Sequence, residues 1–461
     1  MSTGARKKPV LVILVAGLLA VLSFLSLSVF FPGKKPKTVV VVVLDTVGFA
    51  GVFSSPEQAP FLSQLAADSA QFTRTFSTAP WTKPSVASIL TGSLPASHGV
   101  RHPKSRLATE SVTMAEYFSQ AGFATAGFVS HTFIGPKTDY RRGFGTYKQA
   151  RFKGHVHDAI TSAEITTQGL EWLKKHRLSE EGSKQDAFLF LHYFDPHYNY
   201  KHHPAFSQTD WYNGSLSDDM EYRVFKERAE GLSADDLRYI KGLYGEEIRF
   251  TDRELRRLYA GLSEAVPESE FVLVVTADHG EAFREHNHMG HGHFLYNELV
   301  HVPLLIHAPG RVSPEIVTEP VSSVDIFPTL VDLLRMPPLA ARVDGHSLVP
   351  LMEGAAADGD SPMPSFEVEY HTRKVGAVRW PWKVIFDRDS GRWEVFNLET
   401  DGAEAVDSSS TALEVPAVVE AKERVSRYIS QEQQAPPKAT LPPIEYSEKE
   451  VKKLKTLGYM M

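Results

Sequence analysis

The sequence predicts an α/β protein, a large mixed, mostly parallel sheet sandwiched by helices with a small antiparallel sheet plus helix at the C-terminal end. Three observations predict it. "KTVVVVVLDT" (37–46) is a β-branched run without polar alternation, the pattern of a strand covered on both faces. Runs of the same kind recur at 123–130, 186–194, 271–278 and 302–309, with helical patterns between them. From about residue 360 the texture changes to short strand-like stretches broken by "WPW" and "DRDSGR".

Taken in order, the chain begins with a short tail (1–8) and an uncharged apolar run, "VLVILVAGLLAVLSFLSLSVFF" (10–31). As a helix this run is about 33 Å long at about 1.5 Å per residue, enough to cross a bilayer core. A cleaved signal peptide has a shorter apolar core and an A-x-A-like exit, which is not seen. The reading is an uncleaved single-pass transmembrane anchor over 9–32. Arg6, Lys7 and Lys8 precede it, and Lys34, Lys35 and Lys37 place equal charge beyond it. The short tail puts the large domain on the extracytoplasmic, periplasmic side.

The main domain is placed at 37–355. Its helical patterns are 59–72, 162–176, 234–262 and the amphipathic 323–335. The small antiparallel subdomain follows at 360–405 and a helical, Pro-rich tail at 406–461. In that tail a helix is expected over 413–430, a linker at 433–443, and a capping box at Ser447 and Glu450.

Composition removes several kinds of function. The 461 residues carry a mild formal charge of −7, without the basic stripe that nucleic-acid binding requires. The chain has no cysteine, which excludes disulfides, thiolate metal sites and cysteine nucleophiles.

In open parallel sheets ligands bind beyond the carboxyl ends of the strands. Asp45 ends the first run, His192, Asp195 and His197 follow the "FLFL" run, and Asp278 with His279 end "FVLVVTA". The segment 278–294 adds His286, His288, His291 and His293, with glycines that let the backbone bend. Each has a structural alternative: an Asp can be a helix cap, the 192–200 segment a Pro-containing turn, and His286 and His288 surface residues. Asp45, Asp278 and His279 form a mixed oxygen and nitrogen set suited to a divalent ion. Such an ion would bind and acidify the hydroxyl of Thr82 in "APWTKPSVASILTG". His197 and His291 would then hydrogen-bond a tetrahedral anion and assist the leaving group. The alternative for Thr82 is a helix N-cap, and the two readings are compatible because a helix N-terminus also attracts anions.

The ordered stretches "VVVVVLDT", "FSTAPWTKPSVASILTGSLPASHGV", "AGFATAGFVS", "LFLHYFDPHYNY", "VVTADHGEAF", "GHGHFLYNELVHVPLLIHAPG" and "VSSVDIFPTLVDLL" resemble the sulfatase branch of the alkaline phosphatase superfamily. So do "GAVRWPWKVIFD" and "LKTLGY" near the end, and the resemblance covers roughly 37–461. It implies a sulfatase-like sandwiched sheet with a metal site at the strand ends. The departures matter. The family's C/S-x-P-S/A-R motif reads Thr82-Lys83-Pro84-Ser85-Val86, and threonine cannot become formylglycine. The second Asp of the family's Asp pair is Thr46, and the late Asp is followed by His279 instead of Asn.

These replacements look like the threonine-nucleophile relatives, phosphoethanolamine transferases and lipoteichoic acid synthases. That likeness implies Asp45, Thr82, Asp278 and His279 as ligands of one ion, with Zn, Mn and Ca all open. It also implies phosphate contacts from the H-x₄-H segment of His192 and His197 and from His291. His131 falls near the family's sulfate-binding Lys/His pair. Lys83 is read as neutralising a second substrate charge or as a solvated lysine, His293 as lying beside the site, and Glu281 as orienting His279.

The leading expectation is a membrane-anchored, metal-dependent hydrolase or transferase acting on a phosphoester through Thr82. The alternatives are a sulfuric ester hydrolase without formylglycine and a non-catalytic anion-binding protein. The substrate would be a small-molecule, lipid or glycan ester, with no nucleic-acid partner.

Overall fold

The computed structural model describes residues 37–150, 161–177, 185–218, 228–355, 363–434 and 441–456. The expected anchor at 9–32 lies outside the described residues.

Strand β1 (Thr38–Leu44) is the centre of the molecule. Its neighbours are β5 (Ala187–Tyr193) on one side and β6 (Phe271–Ala277) on the other, both parallel to it. Val39, Val41 and Val43 enter one apolar layer, while Val40, Val42 and Leu44 enter the opposite one. This two-sided burial is why the run shows no alternation. All five valines are fully shielded from solvent, and each contributes about 1.5–3 kcal/mol by leaving water.

The full order is β10-β2-β9-β6-β1-β5-β3-β4, with β11 also against β2. Here β2 is Ala70–Phe76, β3 is Ala124–Val129, β4 is Thr146–Gln149 and β9 is His301–His307. β10 is Glu315–Val317 and β11 is Val321–Ser322. β9 runs antiparallel to both β6 and β2, which makes the sheet mixed. Periodicity reports burial and cannot report strand direction, so this inversion was not visible in the run at 302–309.

Among the helices, α1 (Pro60–Ala66) is shorter than expected. The pattern at 59–72 predicts one helix, yet the chain turns at Ala67–Ser69 and enters β2. The β-branched and aromatic content of 72–76, the side chains that fit a pleated surface, favours the strand. Helix α2 spans Thr82–Thr91, and α3 spans Met114–Gln120 with a capping box between Thr113 and Glu116. α4 (Ser162–Arg177), α5 (Ala234–Ala265) and α6 (Ile326–Leu333) fall where they were expected.

The antiparallel sheet β12–β15 (Ser365–Val368, Lys374–Arg379, Trp382–Asp387, Trp393–Asn397) follows the expected texture. One face packs Phe366, Val378 and Phe396 against Phe76, Leu299 and Val300 of the main body. The other receives Val418, Ala421, Val425 and Tyr428 of α7 (Pro416–Gln434). The last helix, α8 (Glu448–Thr456), starts at the expected box, where Ser447 N donates to Glu450 Oε2 at 2.8 Å.

Candidate active site

The register that aligns Leu44 with Tyr193 and with Ala277 brings the tips of β1, β5 and β6 level. Asp45 and Asp278, each one residue beyond its strand, therefore meet. One ligand atom from each of Asp45, Asp278 and His279 lies within 4.8 Å of the others. His279 Nε2 is 3.6 Å from Asp45 Oδ1 and 3.6 Å from Asp278 Oδ2.

The backbone around this cluster is fixed tightly. Thr46 takes a left-handed conformation (φ 59°), a costly choice for a β-branched residue. It aims its amide at Asp278 Oδ1 (3.3 Å), which also accepts from His279 N (2.9 Å). Asp278 Oδ1 is thus spoken for and Oδ2 is left toward the cluster. His279 Nδ1 lies 2.9 Å from the Gly280 carbonyl, which only accepts, so Nδ1 carries the proton and the Nε2 lone pair faces the carboxylates.

The donor set fits a divalent cation. Both carboxylate oxygens of Asp45, Asp278 Oδ2 and both ring nitrogens of His192 are buried and make no hydrogen bond. Buried polar atoms left this way are expensive. Burial, then the charge of Asp278, then that of Glu281 pushes the Asp45 carboxyl well above the usual range, as expected where two carboxylates converge without a counter-charge. A cation bound by Asp45, Asp278 and His279 relieves both penalties.

Thr82 Oγ1 lies 3.4 Å from His279 Nε2. Thr82 is the first residue of α2. Trp81 occupies the cap position in extended conformation, and no side chain makes the capping bond. The cap reading of Thr82 is therefore overturned, and its hydroxyl faces the metal-side cluster. Ser77 holds the preceding loop, donating to the carbonyl of Asp278 and contacting Ser85 Oγ at 3.1 Å. One hydroxyl thus ties the start of α2 to the end of β6.

His192 was expected at the substrate. It stands instead between the two carboxylates, its Nε2 3.5 Å from Asp45 Oδ2 and 3.9 Å from Asp278 Oδ2. His192 is the penultimate residue of β5, a strand buried along its whole length.

Three further histidines form a second layer of imidazoles. The His291 ring is 4.4 Å from that of His279 and 5.0 Å from that of His197, and His197 lies 5.8 Å from His131. Burial and the neighbouring imidazoles hold His131 and His197 well below the ordinary histidine range, so both are neutral. His131 Nδ1 accepts from Phe133 N at 3.0 Å, placing its proton on Nε2.

Glu281 does not orient His279. It pairs with His291, Oε1 to Nδ1 at 2.9 Å, and Tyr200 OH donates to its other oxygen at 3.0 Å. The reversal of direction between β7 (Ala282–Phe283) and β8 (Met289–Gly290) folds residue 291 back beside 281. Tyr198 and Tyr200 were not anticipated as site residues. Tyr198 stacks on the His291 ring at 4.9 Å. The only available signal was the alternation of His197, Tyr198 and Tyr200 around Asn199 in one polar segment.

Other expectations change. Lys83 is neither solvated nor turned to the metal side: it is buried, and its ammonium donates to the carbonyls of Pro103 and Ser105, the latter at 2.8 Å. Side chains of adjacent helical residues point about 100° apart, which carries Lys83 away from the direction of Thr82. His293 is half-buried, its ring 4.2 Å from that of His371 in the loop between β12 and β13. His286 is engaged by Glu298 at 2.8 Å, and His288 stacks on Phe294 at 3.5 Å. Asp195 anchors the start of α4, accepting from the amides of Thr161 (3.0 Å) and Ser162 (2.8 Å).

With this geometry in hand, comparison with known proteins is specific. The sulfatase family model matches residues 37–336, and the C-terminal model of N-sulphoglucosamine sulphohydrolase matches 285–431. Human arylsulfatase A is 27% identical over 75% of this chain and 73% of its own length. Zebrafish (Danio rerio) arylsulfatase K is 30% identical over 39% of the chain, and the match spans about a third (36%) of that relative's length. A phosphonate monoester hydrolase of Agrobacterium radiobacter superposes with a TM-score of 0.67 at 17% identity, covering 86% of this chain and 96% of the other.

Proposed function

Because the chain belongs to the sulfatase family of hydrolases, we propose that it cleaves phosphoesters, or closely related tetrahedral oxyanion esters, with Thr82 as the nucleophile. The observation that carries this reading is the Thr82 hydroxyl at the start of a buried helix, 3.4 Å from His279 Nε2 and beside carboxylate oxygens without hydrogen-bond partners.

Asp45, Asp278 and His279, with Thr82 and His192 beside them, are the residues that would hold a divalent ion, whose Lewis acidity lowers the cost of charge on oxygen. Thr82 Oγ1, its proton released to solvent, forms a bond to phosphorus as the bond to the ester oxygen breaks. His291, oriented by Glu281, gives a proton to the departing oxygen, and His197 hydrogen-bonds the phosphoryl oxygens. Water then adds to phosphorus, giving a proton back to His291 as the bond to Oγ1 breaks, and Thr82 takes a proton from solvent. The amide-rich start of α2 favours the same anion.

Phosphorus is preferred because a threonine ester has no elimination route of the kind an aldehyde hydrate offers, so release depends on direct attack by water. The second reading is sulfate-ester hydrolysis, favoured by the matched relatives, which are named as arylsulfatases. The run at 9–32 is proposed to tether the enzyme in a membrane with the domain outside the cytoplasm, which suits lipid or glycan esters.

The test compares p-nitrophenyl phosphate, bis-p-nitrophenyl phosphate and p-nitrophenyl sulfate on metal-loaded protein, with Thr82→Ala as control. Phosphoester cleavage lost in the variant supports the proposal. Dominant sulfate cleavage lost in the same variant supports the second reading. Metal binding with no turnover of any ester leaves an anion-binding protein.

A further inference from the structure

We propose that His192 is itself a ligand of the divalent ion, so that two imidazoles, His192 and His279, face the paired carboxylates. That donor set selects a borderline transition ion of the Zn²⁺ kind over Ca²⁺. This deepens the reading of the site given above and rests on it for the presence of an ion.

Sheet register carries His192 to this place. It stands opposite Val43 of β1, whose partner on the other side is Thr276 of β6. Asp45 and Asp278 each lie two residues beyond that level. The ladder continues past the strand ends, with Asp45 N donating to the Tyr193 carbonyl (2.9 Å) and Asp278 N to that of Leu44 (3.4 Å). Side chains two apart on extended backbone leave the same face, so all three belong to one side of the sheet. Ser130 Oγ fixes the backbone there, donating to the His192 carbonyl at 2.9 Å.

The His192 ring is wholly buried and neither nitrogen makes a hydrogen bond. A buried imidazole left in this state is destabilising. Its Nε2 is 3.5 Å from Asp45 Oδ2 and 3.9 Å from Asp278 Oδ2. An imidazolium paired directly with a carboxylate closes to about 2.7–2.9 Å. Atoms bound about 2.0–2.1 Å from one tetrahedral ion stand about 3.4 Å apart instead. His279 Nε2 keeps the same kind of spacing, 3.6 Å from an oxygen of each aspartate. Asp45 is therefore flanked by imidazoles, Oδ1 by His279 and Oδ2 by His192.

The choice of ion follows from the two nitrogens. Ca²⁺ is hard and takes its ligands from oxygen. Zn²⁺ accepts imidazole nitrogen and carboxylate oxygen alike. No hydrogen bond commits the His192 proton to one nitrogen, so Nε2 can present its lone pair. The H-x₄-H segment is thus divided, with His192 given to the ion and His197 left beside His291.

X-ray absorption at the zinc edge of the full-length chain, loaded with Zn²⁺, counts the bound imidazoles, and two are expected. Competition titrations of chelator-treated protein should find Zn²⁺ about 100-fold or more tighter than Ca²⁺. His192→Gln should weaken Zn²⁺ by more than the roughly 10–100-fold that loss of an outer partner costs, and leave Ca²⁺ within about threefold. His288→Gln should match wild type. A single bound imidazole, Ca²⁺ held as tightly as Zn²⁺, no Zn²⁺ binding, or a His192→Gln protein with unchanged Zn²⁺ affinity or equal losses for both ions would each overturn the proposal. The absorption count needs no variant, so it decides the matter if His192→Gln fails to fold. Zn²⁺ held by two imidazoles in a protein that turns over no ester would sink the proposed reaction and leave the ligand assignment standing. Turnover that depends on Thr82, with Ca²⁺ preferred, would do the reverse.

Discussion

Glu281 Oε1 and His291 Nδ1 lie 2.9 Å apart in a buried pair, closed on the other side by the Tyr200 hydroxyl. The pair fixes which nitrogen of His291 faces the neighbouring imidazoles. Carboxylate partners of this kind are worth about 10–100-fold in activity. Glu281→Gln should therefore lower kcat by that factor with KM nearly unchanged and metal content, measured by elemental analysis, intact. A drop caused by metal loss would place Glu281 in a different role.

Thr82→Ala should reduce turnover about 10³-fold or more, as expected for removal of a nucleophile. Thr82→Ser retains the hydroxyl and should keep measurable activity. Mass spectrometry of acid-quenched reactions should find a phosphorylated peptide containing residue 82 in wild type and none in the Ala variant. Equal rates for wild type and Thr82→Ala would remove Thr82 from the chemistry.

Cation binding should raise the melting temperature, because Asp45 and Asp278 repel in its absence and a ligand that binds only the native state stabilises it by mass action. The rise should vanish in Asp45→Asn. The metal-free Asp45→Asn protein should melt higher than metal-free wild type, since one buried charge has been removed. Calorimetric scans with and without chelator decide the point.

Val86→Arg recreates the arginine of the sulfatase motif in sequence only. The side chain would enter the apolar layer that holds Ala87, Ile89 and Phe118. An unpaired buried charge of this kind costs about 3 kcal/mol or more. The variant should unfold earlier in urea and gain no activity. A stable, more active Val86→Arg protein would show that the motif, not the packing, governs this position.

Glu432 on α7 is partly buried, yet hydrogen bonds from Arg101 and Arg388 hold its carboxyl down at about 2. A folded value below the unfolded one means that the stabilisation is complete above about 4.3 and is lost as pH falls toward 2. Wild type should out-melt Glu432→Gln at pH 6, and the gap should close as pH drops below about 4. A gap independent of pH would mean that Glu432 acts through packing alone.

Much of this was legible in the sequence because strands buried on both faces leave an uninterrupted apolar trace. The runs at 37–46, 186–194 and 271–278 became the three central strands, and Asp45, His192 and Asp278, at or near their ends, converge. The Ser447–Glu450 box located α8 because its hydrogen bonds are local. Where apolar content was shared by helix and strand, as at 59–72, the pattern could not separate α1 from β2.

The sequence by itself determined the layered sheet and which polar residues stand at the ends of its strands. Both follow from local composition and from burial on two faces. Only the tertiary structure decided that Glu281 serves His291, that His192 stands with the carboxylates, that Lys83 turns away, and that β9 runs backward. Each of these depends on where a chain reversal or a helix face points a side chain in space. Backbone direction and rotamer are set by contacts between residues tens to hundreds of positions apart, and a one-dimensional pattern does not record them.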